Sequence, residues 1–345
     1  MKFILPISIL LAALAIFLPF ITAANPEPAP LTLPEPTQTL TPSNPSDSDY
    51  PIAAADAPLD SAQTLTLKTG DTVLTLTLSD YLRGVVAAEM PANFNDEALK
   101  AQAVVARTYT YYSVNHRPAG QAHPDADVCD NPAHCQGWLS DDACREKWGD
   151  NYDTYSAKIA AAVAATDGLC AVYNGEPICA VFHSSSGGYT EDSVNVWSES
   201  LPYLTSVQSP ESGTSVPDFV TSVSYSLNDL KRTALETYPD MTFPDAPENW
   251  LTNVSRSETE RVISLKVGGI TLTGTQFRLL FGLRSANASW SIADGVITFT
   301  VRGYGHGVGM SQYGANEFAR NGAAFGDILR YFYKGIDITV IGKMA

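Results

Sequence analysis

The sequence predicts an α+β fold with a mixed, largely antiparallel sheet, flanking helices and an inserted subdomain, after an N-terminal membrane helix and a proline-rich linker. Apolar residues make up 45% of the 345 residues, which is enough for a sizeable core. Charged residues contribute only 17%, and 24 glycines with 22 prolines favour strands and turns over a coiled coil. Two hairpin patterns, at residues 64–78 and 169–182, enclose two helix patterns.

The net charge excludes one broad class of partner. Lys and Arg number 21 against 37 Asp and Glu, which gives a formal net charge of −16 at pH 7. A protein of this sign is repelled by phosphate backbones, so we expect no nucleic-acid partner.

The N-terminus predicts a membrane segment over residues 1–24. Residues 3–24 carry no charge and follow Lys2, and a run of this length can cross the hydrocarbon of a bilayer with its positive end inside. The small residues at 22–24 also suit a cleavage site, so a signal anchor and a removed signal peptide both stay open. The rest of the chain is expected outside the cell membrane, as the extracytoplasmic domain of a single-pass protein or, after cleavage, as a secreted protein.

Residues 25–60 predict a linker, because nine prolines and no Lys or Arg lie between positions 25 and 58. Such a segment is a stiff, solvated spacer. The folded domain is expected over residues 61–345, and its less patterned stretch, 211–300, is the expected inserted subdomain. The expected elements of that stretch are a helix near 227–238 and strands around 262–272 and 296–301.

Two helices should follow the first hairpin. The first covers about residues 81–88 and ends before Pro91, because a residue that precedes proline avoids helical torsions. This places Glu89 at the end of that helix. The second begins at Asn95, its N-cap, and carries Lys100 and Arg107 seven residues apart and therefore on one face.

The second hairpin predicts a disulfide. Asn174 and Gly175 stand between two β-rich runs, a strong signal for a two-residue loop. Counting outward from this loop, Val172 pairs with Pro177 and Cys170 with Cys179, both at non-hydrogen-bonded positions, where Cα atoms come closest. In an oxidising exterior we expect a Cys170–Cys179 disulfide; two buried free thiols are the alternative.

One loop carries a candidate metal site made of His123, Cys129, His134 and Cys135. Two nitrogens and two sulfurs suit tetrahedral Zn²⁺. The spacing departs from the zinc-ribbon pattern, so a disulfide or free thiols also stay open on the residues alone. Four protein ligands leave no open position, and a zinc held by them would be structural.

Three segments, 80–107, 181–210 and the glycine-rich 303–315, resemble the stage II sporulation protein D family, and the likeness covers essentially all of residues 61–345. The resemblance implies a lytic transglycosylase, which cuts the glycan strand of peptidoglycan without water. It also implies that Glu89 is the catalytic acid, and that zinc occupies the His and Cys ligand set, as in some clostridial members.

The apolar neighbours of Glu89, among them Val85, Val86 and Met90, favour a raised carboxyl pKa, which suits a general acid. One carboxyl can suffice, because the C6 hydroxyl of the muramyl sugar is an internal nucleophile. Glu89 would protonate the leaving oxygen and then accept the hydroxyl proton, which leaves a 1,6-anhydro end.

The substrate is expected to meet two kinds of side chain. Lys100 and Arg107 would hold the free lactyl carboxylate of muramyl sugars stripped of peptide, with a solvated helix face as the alternative. Small, hydroxyl and amide residues would form a groove that a sugar can approach closely. They are Ser184, Ser185, Ser186, Gly187, Tyr189, His306, Ser311, Gln312 and Tyr313.

The resemblance implies cleavage of the β-1,4 bond between MurNAc and GlcNAc in peptide-stripped strands, during engulfment in sporulation. It implies stage II sporulation protein P, an amidase, and protein M as partners. Two alternatives stay open: a non-catalytic wall-binding protein that modifies an amidase, and a zinc hydrolase.

Overall fold

The structure, a computed structural model, describes residues 58–116 and 123–341. The predicted membrane segment and most of the predicted linker lie outside these residues, and no helix in the described ranges is long and apolar enough to cross a membrane. The predicted α+β class is confirmed. The described strands pair mostly antiparallel, as predicted. They form five small sheets instead of one, because several strands are too short to extend a common sheet.

The first part of the domain packs around one long helix, α2. Its elements are β1 (Thr64–Thr69), β2 (Thr72–Thr77), α1 (Leu78–Glu89), α2 (Asp96–Asn115), β3 (Val128–Cys129), α3 (Asp141–Trp148), α4 (Tyr152–Ala165), β4 (Leu169–Tyr173), β5 (Glu176–Pro177), β6 (Phe182–His183) and α5 (Ser193–Trp197). Twelve residues of α2 are buried, so this helix forms the centre of the first hydrophobic core. β1 pairs antiparallel with β2 and parallel with β3.

The middle of the chain builds a second hydrophobic core, whose buried residues lie between Leu230 and Val301. Its elements are β7 (Val220–Ser226), α6 (Leu227–Thr237), β8 (Leu251–Arg256), β9 (Val262–Val267), β10 (Ile270–Thr273), α7 (Gly274–Leu280), β11 (Ala288–Ala293) and β12 (Val296–Arg302). The strands form two antiparallel sheets, in the orders β10-β9-β8 and β11-β12-β7. The limits of an inserted subdomain stay a prediction.

The C-terminal part returns to the first core. Its elements are β13 (Met310–Ser311), α8 (Gln312–Arg320), α9 (Phe325–Phe332) and β14 (Asp337–Val340). β13 pairs parallel with β6, and β14 pairs antiparallel with β4. This return brings the glycine-rich segment, residues 303–315, beside the serine-rich segment, residues 184–186, that follows β6.

Local chemistry explains where α1 begins and ends. The side chain of Thr77, one residue before the helix, accepts a hydrogen bond from the backbone of Asp80. At the other end Met90 is extended, as expected for a residue before Pro91. The helix therefore ends at Glu89 and leaves this carboxyl in its last turn.

The second hairpin has the predicted register near its loop, with Val172 opposite Pro177. Cys170 and Cys179 are nevertheless free thiols, so the predicted disulfide is not formed in the structure. The ladder stops before this pair, because the backbone N–H of Cys179 donates to the hydroxyl of Tyr203 at 3.1 Å. Burial raises the pKa of the Cys170 thiol to about 12 and that of Cys179 to about 11, which makes both weak nucleophiles for oxidation.

Candidate active-site cleft

A cleft of about 1110 Å³ opens between elements of the two cores. One wall carries Glu89, from the end of α1, and Tyr313, from the first turn of α8; the other carries α7 and the loops beside it. Large apolar side chains stand exposed along the cleft: Trp197 is 42% exposed, Tyr304 48% and Leu279 66%. Aromatic faces of this kind can pack against the apolar faces of sugar rings.

Glu89 is a half-buried carboxyl in this cleft. The backbone N–H of Gly137 donates to its Oε1 at 2.5 Å. Burial raises the pKa of Glu89 above its ordinary value, although the Gly137 hydrogen bond and the positive charge of Lys147 act in the opposite direction. A raised pKa keeps the carboxyl protonated at higher pH, which is what a general acid requires.

Gly137 allows this close approach because it has no side chain. A Cβ at this position would lie 3.0 Å from Oε1 of Glu89, so any other residue would press against the carboxyl. Gly137 was not among the residues predicted from the sequence. Its only sequence signal is that it lies two residues after Cys135, in the loop of the predicted metal ligands.

Gln312 and Tyr313 connect the glycine-rich segment to the Glu89 wall. The side-chain amide of Gln312 donates to the backbone carbonyl of Glu89 at 3.0 Å. The ring of Tyr313 meets the edge of Phe94, with centroids 4.9 Å apart, and its backbone N–H donates to the carbonyl of Ser184 at 3.1 Å. These contacts fix the end of α1, and with it the position of the carboxyl.

The predicted groove residues divide into two groups. Four of them line the cleft with Glu89: Ser184, His306, Gln312 and Tyr313. The other five lie outside its lining, so the structure does not bring them together with Glu89 in this cleft. They are Ser185, Ser186, Gly187, Tyr189 and Ser311, all buried except the half-buried Tyr189.

A buried carboxylate that the sequence analysis missed explains why several of these residues face inward. Glu211 accepts hydrogen bonds from the hydroxyl of Ser186 at 2.6 Å and from the hydroxyl of Ser311 at 2.7 Å, and it also contacts the hydroxyl of Ser209. It is only 4% exposed. Glu211 thus ties Ser186 to Ser311, the residue before α8, at a buried position outside the lining of the cleft.

The glycine-rich segment approaches its neighbours as closely as expected. A Cβ on Gly309 would lie 2.1 Å from the carbonyl oxygen of Val181, and one on Gly303 would lie 2.6 Å from that of Ser185. Both glycines have φ near +70°, a region that side chains rarely adopt. The segment therefore needs glycine both for its backbone conformation and for its packing.

Two histidines lie side by side in the cleft, His183 and His306, with ring centroids 5.7 Å apart. Nδ1 of His306 accepts the backbone N–H of Val308, and Nδ1 of His183 donates to the carbonyl of the same residue. Burial lowers the pKa of His306 to about 4 and that of His183 well below its ordinary value. Both rings are therefore neutral at pH 7, and they add no positive charge to the cleft.

The predicted cationic residues lie elsewhere, and the structure does not bring them together with Glu89 in this cleft. The guanidinium of Arg107 is fully buried and pairs with Asp60, with Nη2 2.5 Å from Oδ2. Lys100 pairs with Glu97 at 2.7 Å and does not line the cleft. Among the described residues, the cations that line it are Arg278 and Arg284.

Three of the four predicted metal ligands come together. His123, Cys129 and Cys135 place their ligand atoms within 4.8 Å of one another, whereas His134 is exposed and lies outside the cluster. Nδ1 of His123 donates to the carbonyl of Ala126 at 3.2 Å, which leaves Nε2 facing Sγ of Cys135 at 3.3 Å. An imidazole oriented this way through its other nitrogen is typical of metal-binding histidines, so these residues fit a zinc ion.

Comparisons with known proteins identify the family of this chain. The SpoIID family model, described as a stage II sporulation protein, matches residues 67–173. Stage II sporulation protein D of Bacillus subtilis strain 168 is 38% identical over 263 residues, which are 76% of this chain and 74% of that protein. The same-named protein of Bacillus amyloliquefaciens is 36% identical over 263 residues, with the same shares. The amidase enhancer of Bacillus subtilis strain 168 is 28% identical over 310 residues, which are 75% of this chain and 40% of that protein. The chain therefore belongs to the stage II sporulation protein D family.

Proposed function

We propose that this protein is a lytic transglycosylase that cleaves the β-1,4 bond between MurNAc and GlcNAc in peptide-stripped glycan strands during sporulation. The observation that carries the proposal is Glu89, a carboxyl with a raised pKa in a cleft with exposed aromatic walls. The cleft suits a sugar chain, and Glu89 suits the transfer of a proton to a glycosidic oxygen.

The reaction needs one carboxyl in two successive roles. Protonated Glu89 gives its proton to the bridging oxygen as the bond from the anomeric carbon of MurNAc breaks, and the GlcNAc end leaves as an alcohol. The C6 hydroxyl of the same MurNAc then attacks the anomeric carbon, and the Glu89 carboxylate accepts the hydroxyl proton. The product carries a 1,6-anhydro ring, no water is consumed, and Glu89 is again protonated.

The backbone contacts of Glu89 help in both roles. The N–H of Gly137 stabilises the carboxylate that forms after the first step, so the proton can leave without a large rise in energy. The side-chain amide of Gln312 donates to the backbone carbonyl of Glu89, which limits the positions that the Glu89 side chain can reach. Glu199 and Asp218 also line the cleft, and Asp218 is paired with Arg284 at 3.3 Å.

Products distinguish this proposal from its alternatives. Peptide-free glycan is digested with the full-length protein, with Glu89→Gln and with Glu236→Gln, an exposed carboxyl on α6 that serves as the control. We expect anhydro-muramyl ends from the parent and the control and at least a 100-fold loss in Glu89→Gln. A Glu199→Gln variant with a comparable loss would instead indicate a two-carboxyl mechanism. No products from any variant would reject the enzyme.

A second candidate function is modification of an amidase without glycan cleavage. The relative named amidase enhancer is the observation that favours it. In this case the parent protein would release no anhydro ends by itself but would increase the rate of a purified amidase on the same wall. Glu89→Gln would leave that increase unchanged.

We also propose that His123, Cys129 and Cys135 hold a structural zinc ion, supported by their mutual approach within 4.8 Å. Bound zinc would fix the loop that carries Gly137. The three protein ligands leave a fourth position open, so chelation is the test of whether the ion is structural or takes part in the reaction. Chelation would then loosen the loop, whereas a zinc hydrolase would form reducing ends that chelation abolishes. Atomic absorption on the purified full-length protein gives the metal content directly.

By family membership we propose stage II sporulation proteins P and M as partners, the first as the amidase that strips the peptides. We also propose that residues 1–24 place the protein at the cell membrane, as a signal anchor or as a removed signal peptide. Co-purification from sporulating cells tests the partners. N-terminal sequencing of the mature protein decides between the two forms of the leader.

A further inference from the structure

Helix α7 places the side chain of Arg278 in the cleft, and the start of this helix is held by a capping box. Thr275, Arg278 and Leu279 line the cleft and are three and four residues apart, so they share one face of the helix. A capping box holds the start of α7, in which the hydroxyl of Thr273 accepts from the backbone of Gln276 and the Gln276 side chain accepts from the backbone of Thr273. The base of the Arg278 side chain is therefore well defined.

The guanidinium of Arg278 has unused hydrogen-bonding capacity. Its Nη1 makes one long contact, 3.4 Å to the carbonyl of Arg284. Its Nε is buried and finds no hydrogen-bond partner among the residues that the structure describes. None of the ion pairs between described residues includes Arg278.

The neighbouring arginine is different. Arg284 pairs with the carboxylate of Asp218 at 3.3 Å and lies over the ring of Tyr304, 4.5 Å from its centroid. Its charge is therefore already matched within the protein. A half-buried cation without such a match has lost part of its hydration, so an anion that binds at Arg278 would gain charge-assisted hydrogen bonds that the protein does not supply.

The chemistry of the cleft narrows the choice of anion. Three carboxyl groups, Glu89, Glu199 and Asp218, also line it, and they disfavour a highly charged ligand. A single carboxylate attached to a sugar fits better, because it matches the planar fork of a guanidinium and brings only one negative charge. Each muramyl sugar carries such a group, its lactyl carboxylate, when no peptide is attached.

We propose that Arg278 binds the free lactyl carboxylate of a muramyl sugar and thereby selects strands from which the peptides have been removed. The inference rests on the proposed function for its substrate. A peptide converts this carboxylate into an amide, which removes the charge and adds bulk at the same place. Arg278 would then lose its partner, and a substituted strand would bind less well.

Binding tests the inference separately from cleavage. Glu89→Gln protein is titrated by calorimetry with three probes of equal length: a peptide-free GlcNAc–MurNAc oligosaccharide, the same oligosaccharide with its lactyl carboxyl reduced to an alcohol, and a chitin oligosaccharide. A charge-assisted pair predicts that the first binds about 10- to 100-fold more tightly than the other two. Equal affinity for all three would overturn the inference, and so would tighter binding of inorganic phosphate than of the muramyl probe.

Two variants in the Glu89→Gln background assign the preference to a residue. Arg278→Gln should lose the preference for the carboxylate probe, and Arg278→Lys should keep part of it. Arg232→Gln, an exposed arginine on α6, should keep all of it. A preference that survives in both Arg278 variants would also overturn the inference. If the parent protein makes no anhydro ends while the preference depends on Arg278, the carboxylate site stands and the transglycosylase proposal fails.

Discussion

Replacing Arg107 should lower the free energy of unfolding of the protein without weakening the binding of glycan. Arg107 donates from Nε to both carboxylate oxygens of Asp60, at 2.9 and 3.0 Å, and from Nη1 to the carbonyl of Leu169 at 3.0 Å. The side chains of this pair are 0% and 2% exposed. Arg107→Met would leave the Asp60 carboxylate buried without a counter-charge.

The expected loss is large. Breaking a buried ion pair from one side costs about 3–5 kcal/mol, a substantial part of the roughly 5–15 kcal/mol that stabilises a typical domain. The double variant Asp60→Asn with Arg107→Met, which removes both charges, should recover part of this loss. Urea unfolding of the full-length protein, followed by tryptophan fluorescence, measures both changes as shifts of the midpoint.

Activity provides the matching control. Below the unfolding transition, the folded fraction of Arg107→Met should retain the parent KM, because the guanidinium does not line the cleft. An unchanged urea midpoint together with a tenfold higher KM would refute this reasoning. That result would restore the sequence-based interpretation of Arg107 as a substrate-binding residue.

Three further predictions concern the cleft and the metal cluster. In Gly137→Ala the new Cβ would lie 3.0 Å from Oε1 of Glu89. This variant should have a kcat lowered by at least tenfold, with little change in the unfolding midpoint. An unchanged kcat would argue against the Gly137 contact. The pKa of Glu89 is raised and the acid must be protonated, so kcat/KM should fall as pH rises through that pKa. The contribution of the carboxyl to the free energy of unfolding should fall over the same pH range. A kcat/KM profile that is flat up to pH 8 would contradict this. His134→Ala should retain one zinc per chain, whereas Cys129→Ser should lose it; the reverse pattern would contradict the three-residue cluster.

Local signals predicted the elements around Glu89 well. The structure starts α2 after Asn95, the predicted cap, and ends α1 before Pro91 as predicted. These features depend on residues that are close together in the sequence, so short-range chemistry is enough to place them. The pairing of Val172 with Pro177 was predicted for the same reason.

The role of Arg107 could not be read from spacing alone. A shared helical face shows which residues stand together, but not whether that face meets solvent or the core. Apolar residues lie on the same face of the helix as Arg107, such as Val104, and on the other side, such as Val105. This was the available signal, because a helix that is apolar all round is buried. Its partner, Asp60, is 47 residues away in sequence, and only the fold brings the two together.

Arg278 was missed for a different reason. It lies in the stretch that showed little periodicity, and its position depends on how the second core meets the first. The spacing of Thr273 and Gln276 is a capping-box pattern and could have predicted the start of α7. Nothing in the sequence could have predicted that this helix faces Glu89 across a cleft.

Cleavage of peptide-free glycan in water enriched in ¹⁸O tests the central claim most directly, because a lytic transglycosylase closes the broken end with the sugar's own hydroxyl. Mass spectrometry of the new ends should find anhydro-muramyl products that contain no heavy oxygen, and Glu89→Gln should form almost none of them. One heavy oxygen at each new reducing end would show that water is the nucleophile and would contradict the single-carboxyl mechanism.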